Sequence, residues 1–305
     1  MVLLNRRDNV GLLVDSAVCH AEDSFKVLIT NDLTEKIVQE AIDNEVHAVV
    51  TYHPTPFRGP KKLQRGDHIS RVVLACAASG IAIYAPHTGL DGTPGGINDW
   101  LLSGFGSGTI KCLKKQDVPA VLLAQAGLQS AAEAPAPGSD FPSPVDCLTA
   151  NITTAPFGEG RILTLQEPVA LSAAVAAVKQ HLQLDSVQLA PALHNTSLQA
   201  IKLSSSSAME AAASSMVRSV AVCAGSGASM LGGVKADLYV TGEMSHHEVL
   251  SANAGGASVI LTNHSNSERG YLPVLEQRLQ ATWALAGVKL ETMVTGVDAD
   301  PLVTV

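Results

Sequence analysis

Ala48-Val49-Val50-Thr51-Tyr52-His53-Pro54 is a short apolar run that ends in a tyrosine, a histidine and a proline. A continuous apolar run of this length suits a strand covered on both faces. Proline has no amide to give a central ladder, so the strand stops at His53. The neighbouring sequence follows the same plan. Lys26–Thr30 (KVLIT) is a buried strand, and Asn31 or Asp32 can cap a helix running to about Asn44, with Glu35 near its third position. Ile69–Ser79 has helical spacing and Gly80 as its stop. Ile81–Tyr84 is a third strand that ends at Pro86-His87, and Ile97–Leu102 reads as a helix. Strands alternating with helices imply right-handed βαβ crossovers and a largely parallel sheet.

The second half repeats the plan. Val169–Leu182 is helical by spacing, and Val217–Cys223, Leu238–Thr241 and Ser258–Thr262 are strands. Ser245 caps a helix to about Asn253, and Ser267–Ala281 reads as another helix. The spacing therefore predicts two similar α/β lobes with largely parallel sheets, at residues 1–110 and 158–305. Residues 111–157 form a linker or insert between them. Ala131–Pro144 carries four prolines and no period, whereas Val118–Leu123 can be a strand. Ser204–Ser215 is of low complexity and stays ambiguous.

Composition narrows the function. The 305 residues are 46% hydrophobic, 16% charged and 4% aromatic, so the core is mainly Ala, Val, Leu and Ile. The net charge is −8 and no Lys/Arg run exceeds two residues, which argues against direct nucleic-acid binding. Five cysteines lie scattered without a CxxC pair, the pattern of free thiols in a reducing compartment. No stretch approaches the ~20 apolar residues of a membrane span, and the seven residues before Asp8 are too few for a signal peptide.

Ligands in open α/β sheets collect at the carboxyl ends of strands. Tyr52-His53, His87 with Asp91, the Ala224–Ser229 turn, Gly242-Glu243, and His264 with Glu268 all fall there. Imidazoles and carboxylates together suit zinc, iron or manganese. A single histidine at a strand end more often bonds a backbone group. Three such places, two of them with a carboxylate four residues on, favour convergence of His53, Asp91, His264 and Glu268 on one or two divalent ions. Glu243 suits a supporting or acid/base role. His246-His247-Glu248 reads better as a solvated helix start, since adjacent helical residues point about 100° apart. His20, His47, His68, His181 and His194 have no partner spacing and are expected at the surface. Gly225-Ser226-Gly227-Ala228-Ser229 resembles part of a phosphate loop but lacks the Walker lysine and the full GxGxxG. Its glycines can equally serve a tight turn.

Five ordered motifs resemble the NIF-three family, whose bacterial members carry the label GTP cyclohydrolase 1 type 2. They are Asp8-Asn9-Val10-Gly11-Leu12, Tyr52-His53-Pro54, Pro86–Asp91, Ala236–His247 and His264–Gly270, and the GEMSHH run at 242–247 looks like the NIF-three-like animal branch. The resemblance implies two α/β lobes with a dinuclear metal site in the cleft between them, and assembly of ring-shaped hexamers. It carries over His53, Asp91, His264 and Glu268 as metal ligands. Tyr52 stands where the family's first His would be, and a neutral phenol is a poor ligand, which implies one tight ion and a weaker second. Arg7 stands where the family usually has Trp. Three functions follow as expectations. One is a metal-dependent hydrolase, with a nucleotide as the substrate that the family label suggests and Glu243 or His87 moving protons. The second is a cytoplasmic and nuclear partner of transcription-regulatory proteins, and the third is metal storage or delivery.

Overall fold

The computed structural model describes residues 8–18, 24–116, 157–192 and 215–303. The expected strand at 118–123, the proline-rich 131–144 and residues 204–214 of the low-complexity run lie outside the described residues, as do His20 and His194.

In chain order the elements are β1 (Gly11–Val14), β2 (Ser24–Thr30), α1 (Glu35–Asp43), β3 (Ala48–Thr51), α2 (His68–Ala78), β4 (Ala82–Ala85), α3 (Thr88–Gly92) and α4 (Ile97–Ser103). Next come β5 (Gly108–Lys115), β6 (Gly158–Ala170), α5 (Leu171–Leu182), β7 (Gln188–Ala190), β8 (Met216–Ser226) and α6 (Ala228–Leu231). The chain closes with β9 (Leu238–Glu243), α7 (His246–Ala254), β10 (Ser258–Leu261), two 3-10 turns, α8 (Leu272–Leu285) and β11 (Lys289–Val294). Among the described residues no helix is long and apolar enough to cross a membrane.

The chain forms two compact units: residues 1–90 with 271–299, and residues 91–270 with 300–305. These bounds differ from the expected lobes. The first unit takes its fifth strand from the far end of the chain, because β11 finds a parallel partner in β2, from Lys289↔Ser24 to Val294↔Ile29. Residues 91–110 join the second unit, and β5 runs straight through the expected boundary at 110/111.

In the first unit the strand order is β1-β4-β3-β2-β11, parallel except for β1. The apolar strands were legible because they are buried on both faces: all four residues of β3 are buried. Leu28, Val49 and Ile83 pack with Ile37, Val38 and Ala41 of α1 and with Val72 and Cys76 of α2. Asp67 caps α2 by accepting from the Ser70 amide at 2.8 Å, and Gly80 ends it at φ +69°. The expected cap of α1 is not where the structure starts that helix. Thr34 is its N-cap residue, and the Asp32 carboxylate is turned elsewhere. His47 is another correction: it is buried, and its Nδ1 accepts from the Lys26 amide at 3.0 Å.

In the second unit the order is β5-β6-β8-β9-β10-β7, with β8, β9 and β10 parallel at the centre and antiparallel strands at the flanks. Ala221, Tyr239 and Val259 form the core with Leu231 and Ala257. His181 is also not a plain surface residue. It donates to the Trp100 carbonyl at 2.8 Å and lies tilted against that indole, and burial pushes its pKa down against this bond. His68 is exposed as expected.

Candidate metal centre

In the first unit, β2 and β3 end side by side. The Tyr52 amide donates to the Thr30 carbonyl and the His53 amide to the Asn31 carbonyl. The Thr51 hydroxyl donates to the His53 carbonyl at 3.0 Å, so the turn after the strand is held from both directions. This places His53 beside Asp32, with Nδ1 2.8 Å from Asp32 Oδ1. His87 sits at φ +34°, just past β4, and its Nδ1 lies 2.8 Å from both oxygens of Asp8. The Tyr52 ring is buried and stands edge-on to both imidazoles, with centroids 5.0 Å from His53 and 5.6 Å from His87. It fills the space as packing.

Burial works against the charge on Asp8, but hydrogen bonds from Thr88 and His87 outweigh it and hold its carboxyl below the ordinary range. Folding therefore favours the ionised form. That stabilisation is complete above the unfolded carboxylate pKa of about 4 and fades as pH drops through the lower folded value. Asp8→Asn is accordingly expected to lower the melting temperature at pH 7 and to differ progressively less from wild type below pH ~4. A melting-temperature gap that stays constant down to acid would contradict this.

In the second unit, His264 and Glu268 follow β10. The α-helix expected from Ser267 is replaced by two short 3-10 turns, Ser265–Ser267 and Arg269–Tyr271, and the true helix begins at Leu272 with Pro273 in its first turn. The i, i+4 pair still meets: His264 Nε2 is 3.4 Å from Glu268 Oε1. That is long for a good hydrogen bond. Two donors about 2.0–2.1 Å from one tetrahedral ion stand about 3.3 Å apart. The pair therefore fits a shared cation. The Glu268 side chain is 2% exposed, so its charge needs a partner inside the fold. The other nitrogen, His264 Nδ1, lies 2.9 Å from Glu243 Oε1 at the end of β9. A carboxylate in that place favours the proton on Nδ1, which would free Nε2 for a metal.

Gly225 explains the glycine-rich turn. It has φ +63°, and a Cβ there would stand 2.6 Å from Glu268 Oε1 and 3.0 Å from His264 Nε2. Gly227 lies against Thr241, which donates to the Gly225 carbonyl at 3.0 Å. The run serves close approach of backbone to the ligand pair. Gly225→Ala is expected to lose about 1–2 kcal/mol of stability through its left-handed backbone and to weaken metal binding by displacing Glu268. Equal metal affinity in that variant would count against the fit.

Cys223, two residues before Gly225, is a half-buried free thiol. Burial pushes its pKa up to about 12, and Asp91, Glu159 and Glu268 add to the rise. Asp91 lies in α3, and its carbonyl accepts from Asn98, whose own oxygen accepts from the Ala224 amide. His246 and His247 are exposed on α7. Ser245 and Glu248 form a capping box there, so this run is a helix start.

Asp32, expected as a helix cap, lies instead beside His53 with Oδ1 2.8 Å from its Nδ1. Its signal was its place at the end of the strand paired with that of His53.

The Duf34/NIF3 (NGG1p interacting factor 3) family model matches residues 2–301. The chain is 37% identical to "Protein NIF3 homolog" of Schizosaccharomyces pombe over 97% of its length and 90% of that protein. It is 32% identical to "NGG1-interacting factor 3" of Saccharomyces cerevisiae, over 97% and 88% respectively. A Bacillus cereus protein related to NIF3 shares the fold, with a TM-score of 0.72 at 21% identity over 99% of this chain and 94% of that one. With its strand ends, its His–Glu pair and this full-length similarity in agreement, the chain belongs to the Duf34/NIF3 family.

Proposed function

We propose that this chain binds one or two divalent ions (zinc, iron or manganese) through His53, Asp91, His264 and Glu268, and works as a metal-dependent hydrolase of a small substrate. The observation that carries the reading is the buried Glu268 carboxylate 3.4 Å from an imidazole nitrogen whose ring is oriented from behind by Glu243. A bound divalent ion supplies Lewis-acid activation of a substrate oxygen or of water. The chain's own residues do the rest. Asp32 and Glu243 hold the two ligand rings in one tautomer. Asp8 holds the His87 ring from behind at 2.8 Å, and His87 is the group placed to move a proton. Nucleotides fit the labels that members of the family carry, and they are the first substrates to try.

Metal analysis of protein purified without chelator tests the binding. Stoichiometric metal is expected, and trace metal alone would refute both hydrolysis and metal storage. Turnover is then read with a nucleotide and phosphoester panel against His264→Ala. Metal binding without a rate above that variant would favour storage or delivery.

A second reading rests on the printed name of the yeast relative, NGG1-interacting factor 3. In that reading the chain is a cytoplasmic and nuclear protein that contacts a transcription-regulatory partner, assembled as a homo-oligomer, with a hexameric ring as the specific form. A pull-down that persists in a ligand-free variant would separate such binding from chemistry. Light scattering across concentrations would read the assembly, and a clean monomer would exclude the ring.

A further inference from the structure

We infer that Asp32 is a positioning residue for metal binding: it fixes the tautomer and angle of His53 and so sets the affinity of the centre. The inference rests on the metal reading above. Both Asp32 oxygens are engaged, Oδ1 with His53 Nδ1 at 2.8 Å and Oδ2 with the Asn31 side-chain amide at 3.2 Å. Asn31 is itself held by the fold. It is fully buried, its own amide donates to Asp298 Oδ2 at 2.9 Å, and its carbonyl accepts from the His53 amide. The chain of contacts thus runs from Asp298 through Asn31 to Asp32 and on to the His53 ring. A carboxylate on Nδ1 keeps the proton there, leaves Nε2 with its lone pair, and strengthens that nitrogen as a donor.

Thr34, not Asp32, occupies the N-cap of α1. The arrangement repeats what Glu243 does for His264 in the other unit, from a different strand and with a shorter side chain. Two ligand rings, each with a carboxylate behind it, are hard to account for by strand-end packing alone. The Asp32 carboxylate is 39% exposed and the Glu243 carboxylate 56%, so the His53 pair is the less screened of the two.

The test is zinc affinity by competition with a chromophoric chelator, with the visible spectrum of the cobalt-loaded protein as a second readout. Asp32→Ala is expected to weaken zinc binding about 10–100-fold and to change the cobalt spectrum, because a freely turning ring alters the ligand field. Asp32→Asn, which keeps an oxygen for Nδ1, is expected to lose less, and it serves as the folded variant should Asp32→Ala fail to fold. Asp67→Ala removes the cap of α2 in the same unit and is expected to lower the metal-free melting temperature while leaving both metal readouts unchanged. Wild-type affinity and spectrum in both Asp32 variants would overturn the positioning role. Metal loss in Asp67→Ala equal to that in Asp32→Ala would do the same, since loosening of the unit would then explain both. Absence of zinc binding by the wild type would instead refute the metal reading itself.

Discussion

Glu268→Ala is expected to raise the dissociation constant for zinc by more than about 100-fold, since loss of an outer-sphere partner alone costs about 10–100-fold. Glu268 does more than support a ligand. Its side chain is 2% exposed, and its Oε1 stands 3.4 Å from His264 Nε2. The same substitution removes a buried charge, so the metal-free protein need not lose stability and can gain it. That opposition of signs is diagnostic. An ordinary structural glutamate would weaken fold and metal binding together, whereas a ligand weakens only binding. Glu268→Gln keeps the shape and loses the charge, so it is expected to bind metal poorly as well. Competition titrations and metal-free thermal melts read the two effects separately.

Asp99→Ala is expected to destabilise the second unit by about 3–5 kcal/mol, the usual consequence of stranding a buried charge. Arg161 is the buried cation. It is 1% exposed, with Nε 2.7 Å from Asp99 Oδ1 and Nη2 3.1 Å from Oδ2. Desolvation opposes its charge, but Asp99 outweighs that and raises the guanidinium pKa. Its other hydrogens go to the Gly158, Gly160 and Thr93 carbonyls, so the side chain ties β6 to the segment before α4. Asp99 Oδ2 also accepts from the Gly95 amide at 2.9 Å. The double variant Asp99→Leu with Arg161→Met removes both charges and is expected to recover part of the loss. Urea unfolding of the three proteins checks this. A cost below about 1 kcal/mol for Asp99→Ala would place the pair with weakly coupled surface bridges.

The parts of the fold that were legible in sequence are those where one physical signal dominates. KVLIT, AVVT and SVIL each carry an unbroken apolar stretch, and most of their residues are buried on interior strands of the two sheets. The Ser245 cap was legible because Glu248 completes a capping box with it. β11 was not seen, since Lys-Leu-Glu-Thr-Met-Val is polar at an exposed edge and its partner β2 lies over 250 residues away in sequence. The helix expected from Ser267 gave way to 3-10 turns because Ser265, Asn266 and Ser267 bond locally, with the Ser267 hydroxyl on the His264 carbonyl and the Asn266 amide on the Thr262 carbonyl. The proposed ligands stand out in the sequence by their place after strands. The residues behind them were legible only for Glu243, because Asp32 has the sequence look of a helix cap.

The central claim is a donor set of imidazole and carboxylate, with Cys223 nearby but held as a protonated thiol. X-ray absorption on the zinc-loaded protein tests it most directly. The account predicts scattering from nitrogen or oxygen at about 2.0–2.1 Å with the outer-shell signature of histidine rings. A sulfur shell at about 2.3 Å, or a zinc edge without any histidine signature, would contradict it.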